Sequence, residues 1–487
     1  MSYTRASGLC ARGHFQAAVF SVLIASAICR TGQAQVLYGS IVGNVLDASG
    51  AAVPGATVKV AQIATNETRE ATTNEVGLYT LLAVPAGTYK VSITKARFGD
   101  FVAENIEVRI NTTVRVDAQL SVGARSESVE VTAQAAVLQT DRADVRQDVT
   151  SRQLLNLPQP TRTYQGLLAL IPGVNPPAAQ TGGTNDPIRS MSLEANGTSQ
   201  TGTDVRIEGV SAVNPWVQFF STTVPSIEAI ETVDMVTGAS QADQTLVGGA
   251  AINVQMKSGT NQFHGSAYEY HEDNALKARP FFLPAGQRKP KNINNDLGGT
   301  LGGPIIRNRL FFFASYEGEF TRSSVGQFGT VPTAAMLAGD FSQTGTTIYD
   351  PRTGNPDGSG KQPFQGNKIP DSLISPIVQK LLPLVPAPNT GQFGANANNF
   401  YGNVPTRYNL QKIDSKIDFN ATSRLRITGR IDDDPYSTTQ VPIFGAVLGT
   451  SSDAQYPVAD QHGNIFAFTG SATSTRGRRR PRSTWSS

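Results

Sequence analysis

Residues 410–434 read LQKIDSKIDFNATSRLRITGRIDDD. Apolar side chains fall on alternate positions in both halves. Ile413, Ile417 and Phe419 share one face of an extended chain, and Lys412, Asp414, Lys416 and Asp418 share the other. Asn420-Ala421-Thr422-Ser423 suits a turn. Beyond it, Leu425, Ile427, Gly429 and Ile431 repeat the apolar face against Arg424, Arg426, Thr428 and Arg430. The period predicts an antiparallel hairpin. One apolar and one strongly charged face fit the wall of a membrane β-barrel, with lipid outside and a wet lumen inside. A half-buried hairpin of a soluble sheet has the same period and stays open as the alternative. The acids Asp432, Asp433 and Asp434 that close the stretch are expected to be solvated.

Working outward, Phe263–His271, Asn294–Gly302 and Leu310–Phe320 are further strand candidates. Phe311, Phe312 and Phe313, with Tyr316 and Phe320, suit an aromatic girdle at a membrane interface. Arg307-Asn308-Arg309 suits a short turn. Residues 321–405 are rich in Gly, Pro and Asn, mostly aperiodic, and read as one long loop. About six barrel strands are expected over 261–475, by period. His264 and His271 lie seven apart, a spacing that puts them on opposite faces of a strand and argues against a shared metal.

Toward the N-terminus, residues 35–120 alternate short strands with turn residues, as a β-sandwich does. Tyr89, Val91 and Ile93 face one way, and the pattern recurs in Ile106, Val108 and Ile110 and in Val114, Val116, Ala118 and Leu120. Residues 121–149 form a polar linker. Within it, Ser128-Val129-Glu130-Val131-Thr132-Ala133 is a short extended stretch, able to add an edge strand to a partner sheet or to serve as a last sandwich strand. Residues 150–260 mix helix signals (Arg152–Leu157, stopped by Pro158, and Thr163–Leu170) with strand signals (Val205–Val210 and Ile230–Val236), as a small α+β domain does.

The 487 residues carry a net charge of +3. Residues 1–34 hold Arg5, Arg12 and Arg30 and no acid, and residues 476–487 hold five Arg and no acid. Residues 35–475 carry 33 basic and 38 acidic residues, so the basic ends give no nucleic-acid footprint. Arg5 and Arg12, the apolar run Ala17–Cys29 and small residues at Gly32 and Ala34 make an export signal over 1–34, cut between Ala34 and Gln35. The only cysteines, Cys10 and Cys29, lie inside it, which excludes disulfide scaffolds and thiol chemistry from the mature chain. No zinc-peptidase motif can be built from the four His residues, and no nucleophile–base constellation stands out, so an enzyme is not expected.

Two sets of motifs carry a resemblance. "GSIVGNVLDASGAAVPGATVKV" (39–60) and "TNEVGLYTLLAVPAGTYKVSITKARF" (73–98) resemble the carboxypeptidase regulatory-like domain, which implies a carbohydrate-binding-like or prealbumin-like sandwich without peptidase activity. "LLALIPGV", "DVRIEGVSAV", "PSIEAIETVDMVTGASQAD", "GGAAINVQMKSGTNQFHGSAYEY" and "LGGPIIRNRLFFFASYEG" follow in the order found in TonB-dependent outer-membrane receptors of the Oar-like type. The resemblance implies a mainly β chain. It would consist of an N-terminal sandwich in the periplasm, a small α+β plug over 150–260, and part of a transmembrane antiparallel β-barrel in the outer membrane of a Gram-negative-type bacterium. It makes Ile230, Glu231, Gly248, Gly249 and Asn253 a plug signature and Ser128–Ala133 a TonB-box candidate. Implied partners are the TonB energy-coupling complex, outer-membrane lipid and an extracellular ligand of unknown identity, a glycan or a peptide, with no nucleic acid and no cofactor.

Such a barrel has roughly 22 strands. The Arg-rich stretch 476–487 therefore reads as a premature or out-of-frame end, with a genuine basic tail as the alternative. Six strands cannot close around a plug, so this chain by itself is not expected to work as a transporter. The rival reading is a secreted carbohydrate- or protein-binding β-sandwich protein without transport activity.

Overall fold

The computed structural model describes residues 38–110, 112–121, 130–132, 145–159, 162–175, 193–216, 218, 221–238, 249–283, 286–391, 396–422, 425–440, 443–444, 459–461 and 464–472. The export signal with Ala34 and Gln35, most of the linker, Gly248 and the Arg-rich stretch lie outside the described residues.

The sandwich has eight strands: β1 (Tyr38–Asp47), β2 (Thr57–Gln62), β3 (Thr68–Thr72), β4 (Leu78–Pro85), β5 (Gly87–Thr94), β6 (Phe101–Val108), β7 (Thr113–Arg115) and β8 (Ala118–Leu120). One sheet runs β4-β1-β7, with β8 also on β1, and the other runs β3-β2-β5-β6. The alternating residues meet between them: Ile41, Val45, Val58, Val60, Tyr89, Val91 and Ile93 are buried in one cluster. The hydroxyls of Tyr79 and Tyr89 donate to the carbonyls of Val116 and Pro85, each at 2.7 Å, so neither buried phenol lacks a partner. Strand β9 (Glu130–Thr132) lies parallel to β6, with Val131 opposite Ala103. The middle of the TonB-box candidate is thus an edge strand of the sandwich; Ser128, Val129 and Ala133 lie outside the described residues.

The plug comprises β10 (Val145–Thr150), α1 (Ser151–Asn156), α2 (Tyr164–Leu168), β11 (Val174–Asn175), β12 (Glu194–Ala195), β13 (Asp204–Ile207), β14 (Val210–Ser211), β15 (Ile230–Gly238) and β16 (Ala251–Met256). Its main sheet runs β10-β15-β16-β13-β14. Thr150 starts α1 through a capping box: its hydroxyl accepts from the Gln153 N–H, and the Gln153 side chain accepts from the Thr150 N–H at 2.9 Å. One face of the sheet packs Val149, Val233, Met235, Ile252 and Val254 against Leu154, Leu167 and Leu168.

The wall contains β17 (His264–Asp273), β18 (Asn292–Ile306), β19 (Leu310–Gly329), β20 (Phe400–Thr422), β21 (Leu425–Asp433), β22 (Tyr436–Gln440), β23 (Ala459–Gln461) and β24 (Asn464–Ala472). The path is β17-β18-β19-β20-β21-β24, with β22 joining β20 to β23, and the sheet is open among the described residues. Strands β19 and β20 pair from Leu310 opposite Phe419 to Gly329 opposite Phe400. Residues 321–329 and 400–405, expected as loop, are therefore strand, and the loop shrinks to 330–399. About 9–11 residues cross a bilayer, so the upper parts of these 20- and 23-residue strands stand above it. Their residues there mix polar side chains, glycines and scattered aromatics, and no apolar alternation marks them in the sequence.

Polarity across this wall is the reverse of a soluble sheet. Lys412, Asp414, Lys416 and Asp418 are covered, none more than 3 % exposed, whereas Ile413 and Ile417 are 43 % and 50 % exposed. Phe419, Ile427, Ile431, Leu297, Leu301 and Ile305 are exposed with them. Water would drive these apolar groups inward; lipid does not. The soluble-hairpin alternative fails on this point. Two expectations need correcting. Asp432 and Asp434 are buried rather than solvated, because their strand parity turns them toward the plug. Phe311 and Phe313 also face inward and are buried, leaving Phe312, Tyr316 and Phe320 for the outer face.

Candidate functional site

The inward face of the wall meets the plug through paired charges and hydroxyls. Glu317 of β19 is the hub: it accepts from Lys412 Nζ at 2.8 Å, from Tyr268 Oη at 2.9 Å and from Ser226 Oγ of the plug at 3.1 Å. Asp414 accepts the Ser226 N–H at 3.1 Å. Asp434 accepts from Thr223 Oγ1 at 2.6 Å and from the Val224 N–H at 2.9 Å. The plug segment 221–228, leading into β15, is thereby tied to three wall carboxylates.

A second tie comes from the β13–β14 turn. Glu208 and Gly209 both hold positive φ, 50° and 77°, the pattern of a two-residue hairpin turn. The turn aims Glu208 Oε1 at Lys416 Nζ, 2.8 Å away, while the same oxygen accepts the Met256 N–H at 2.8 Å. A third tie is Arg162, which pairs with Asp296 of β18 at 2.8 Å and lies over the rings of Tyr268 and Tyr270 at 4.8 and 4.1 Å. Charged groups taken from water need partners of this quality, since an unpaired buried charge costs several kcal/mol. A polar contact of this kind also separates at lower cost than an apolar one, because its groups exchange one partner for another or for water.

The turn at one end of the wall locates the sandwich. Asn308, at the β18–β19 turn, exchanges two 2.8 Å hydrogen bonds with Asn261, and it accepts from Asn66 of the sandwich at 3.2 Å. The Asn261 N–H donates to Ala64 O of the sandwich at 3.0 Å. At Gly259, between plug and wall, an added Cβ would stand 2.3 Å from Phe312 O and 2.6 Å from Gly303 O, which explains the glycine in the KSGTN motif. Away from this end, a cavity of about 660 Å³ opens between the plug and the wall. Gln159, Arg162, Tyr270, Asn292, Asn294 and Glu319 line it.

The plug-signature residues are not gathered at one point. Ile230 is buried in the plug core, Glu231 is exposed on β15, and Asn253 reaches Asp234 at 3.4 Å. Gly249 lies where a Cβ would meet Gly202 O at 2.1 Å. These residues shape the plug sheet. Of the residues that join plug to wall, Arg162, Glu208, Thr223, Ser226 and Glu317 had no role assigned from the sequence. Only the Glu-Gly turn at 208–209 offered a signal. Among the described residues no cluster of three His, Cys, Asp or Glu side chains is arranged to hold a metal ion.

A sandwich, a small α+β plug and an outward-apolar wall whose inner charges grip that plug define part of a plugged β-barrel of the outer membrane. Comparison with known proteins agrees. Residues 255–475 match the family described as outer membrane beta barrel domain, and residues 40–121 match the carboxypeptidase regulatory-like domain. The TonB-dependent transporter Oar of Myxococcus xanthus is 28 % identical over 313 residues, covering 59 % of this chain and 28 % of that protein. The chain thus spans little more than a quarter of the length of this curated relative. The siderophore receptor PirA of Acinetobacter baumannii overlaps 64 % of this chain and 34 % of its own, at 14 % identity and a TM-score of 0.33. The ferric enterobactin receptor PfeA of Pseudomonas aeruginosa overlaps 61 % and 33 %, at 11 % identity and a TM-score of 0.32. The chain is thus similar to a TonB-dependent transporter, carries a regulatory-like sandwich at its N-terminal side, and its wall strands are outer-membrane strands.

Proposed function

We propose that the chain supplies the sandwich, the plug and the first wall strands of a receptor that imports an extracellular ligand at the expense of TonB-transmitted force. The observation that carries this reading is the plug–wall contact. It is built of ion pairs and hydroxyl bonds to Glu317, Asp414, Lys416 and Asp434, so a pull on the plug can trade these partners without exposing an apolar core. Force would enter through the linker 121–149, with Ser128–Ala133 as the coupling segment and Val129 and Val131 filling pockets of a partner sheet. The domain bounds 35–120, 150–260 and 261–475 are part of the same proposal. The polar cavity lined by Arg162, Asn292, Asn294 and Glu319 favours a ligand rich in hydrogen-bonding groups, a glycan or a peptide. The reading assigns the chain no catalytic step.

The coupling reading is tested without knowing the ligand. Single cysteines are placed along 121–149, with Cys10 and Cys29 replaced by serine, and disulfide trapping is attempted with a cysteine-bearing TonB periplasmic domain. Positions 129–131 are expected to trap TonB, and Val131→Pro, which removes a backbone donor, to abolish trapping while leaving the amount of protein in the outer membrane unchanged. Absence of trapping across the whole linker would contradict the reading.

A further inference from the structure

The face of the plug sheet opposite its apolar core carries a row of polar side chains. Asp148 of β10 stands directly across from Asp234 of β15, Asp234 across from Asn253 of β16, and Asn253 across from Arg206 of β13. Strand β10 is the outer strand of this sheet, paired among the described residues with β15 alone, and it is the first plug element after the linker. Carboxylates on directly opposed residues repel. This pair sits at the point where the linker meets the plug.

The surroundings of the pair are unequal. Asp148 Oδ2 is paired with Arg109 Nη1 of the sandwich at 3.0 Å, and Arg109 also binds Glu107. Asp234 is more deeply buried; Arg146 Nη2 lies 3.8 Å from its Oδ2, and Asn253 Nδ2 donates to the same oxygen at 3.4 Å. Further along the row Arg206 is engaged by Asp204 at 2.8 Å. Asp148 Oδ1 and Asp234 Oδ1 are each buried without a hydrogen-bond donor among the described residues. The register sets the two side chains side by side on one face of the sheet, each with a buried oxygen that lacks a donor, and two carboxyl groups share a hydrogen bond only when one carries a proton.

We propose that Asp148 and Asp234 form a proton-dependent latch on β10: sharing one proton they hold the strand to the plug sheet, and with both ionised they loosen it, while Arg109 ties the latch to the sandwich. The device rests on the reading that force reaches the plug through the linker, because only then does the hold on β10 set how readily the plug yields. Burial, with the neighbouring Asp148 charge, outweighs Arg146 and lifts the Asp234 carboxyl to about 7. The sign follows. A carboxyl raised in the folded state contributes its full share of stability below the ordinary Asp range near 4, and that share is lost as pH rises through about 7. The hold on β10 is therefore firm in mild acid and weakened in mild alkali.

Hydrogen exchange tests the latch without TonB or ligand. The protein is measured in native outer membranes between about pH 5.5 and 8.5, and the amides of Val145–Thr150 are followed after correction for intrinsic rates. Protection of β10 is expected to fall by up to tenfold per pH unit as the pH rises toward about 7 and to level off above it. D234N, which mimics the protonated form, should keep β10 protected and remove the pH dependence. D148N should move the levelling-off point downward, and R109Q should move it upward by removing a cation. Protection of β10 that is independent of pH in the parent protein, or a D234N variant that keeps the parent's pH dependence, overturns the latch. Neither result depends on TonB trapping, so the latch and the coupling reading fail separately.

Discussion

Lys412→Met is expected to destabilise the inserted protein by about 3–5 kcal/mol, read as a shift in the urea midpoint in lipid vesicles at unchanged slope. Lys412 Nζ is buried against Glu317 Oε1 at 2.8 Å, and methionine keeps the volume of the stem while deleting the charge. Glu317 is then a covered carboxylate left with only the neutral donors Ser226 and Tyr268. The double variant Lys412→Met/Glu317→Gln should recover most of the loss, since no uncompensated charge remains and the introduced amide oxygen can still accept from Ser226. A small effect of Lys412→Met, within about 0.5 kcal/mol, would mean that this wall face is wet and uncovered. Full loss in the double variant would mean that the pair itself, rather than charge compensation, holds the plug.

Ile413→Arg probes the other face of the same strand. Six residues separate Ile413 from Phe419, which lies near the β20–β21 turn. At a rise of about 3.3 Å per residue and a tilt of about 45°, that is roughly 14 Å along the bilayer normal, close to the midplane of a core about 30 Å thick. An arginine facing lipid there costs about 2–4 kcal/mol. The same exchange on an exposed face of a soluble sheet would change stability by no more than about 0.5 kcal/mol. The urea midpoint of the inserted protein separates these outcomes without reference to transport.

The two substitutions differ by one residue in sequence and are opposed in environment, and that opposition was legible in the sequence. Lys412/Asp414/Lys416/Asp418 against Ile413/Ile417/Phe419 gives the period, and the charge density of one face suggests what the other must meet. Sandwich strands were legible for the same reason, because Tyr89, Val91 and Ile93 alternate and Pro85-Ala86-Gly87 marks a turn. Strand β3 was not, since Ala71 is the one apolar residue in Thr68–Thr72 and a single small side chain gives no alternation to read. The upper halves of β19 and β20 stayed hidden because residues 321–329 and 400–405 mix polar residues, glycines and isolated apolar side chains without a period of two. Asp434 misleads for a related reason: three adjacent acids look solvated until pairing fixes which of them turn toward the plug. The plug–wall ties were out of reach. Thr223, Ser226 and Glu317 are ordinary residues whose partners lie about 90 to 210 positions away, and only the packing of the plug against the wall brings them together.

That this hairpin shows lipid its apolar face and the plug its charged face is tested most directly by introducing single cysteines from Gln411 to Phe419 in a Cys10/Cys29-free background. Each is labelled with an environment-sensitive fluorophore in outer-membrane vesicles, and quenching by a lipid-borne nitroxide is measured. Strong quenching is expected at 413, 417 and 419 and weak quenching at 412, 414, 416 and 418, and so a period of two. Quenching that is absent throughout, or that peaks at the charged positions, would contradict it.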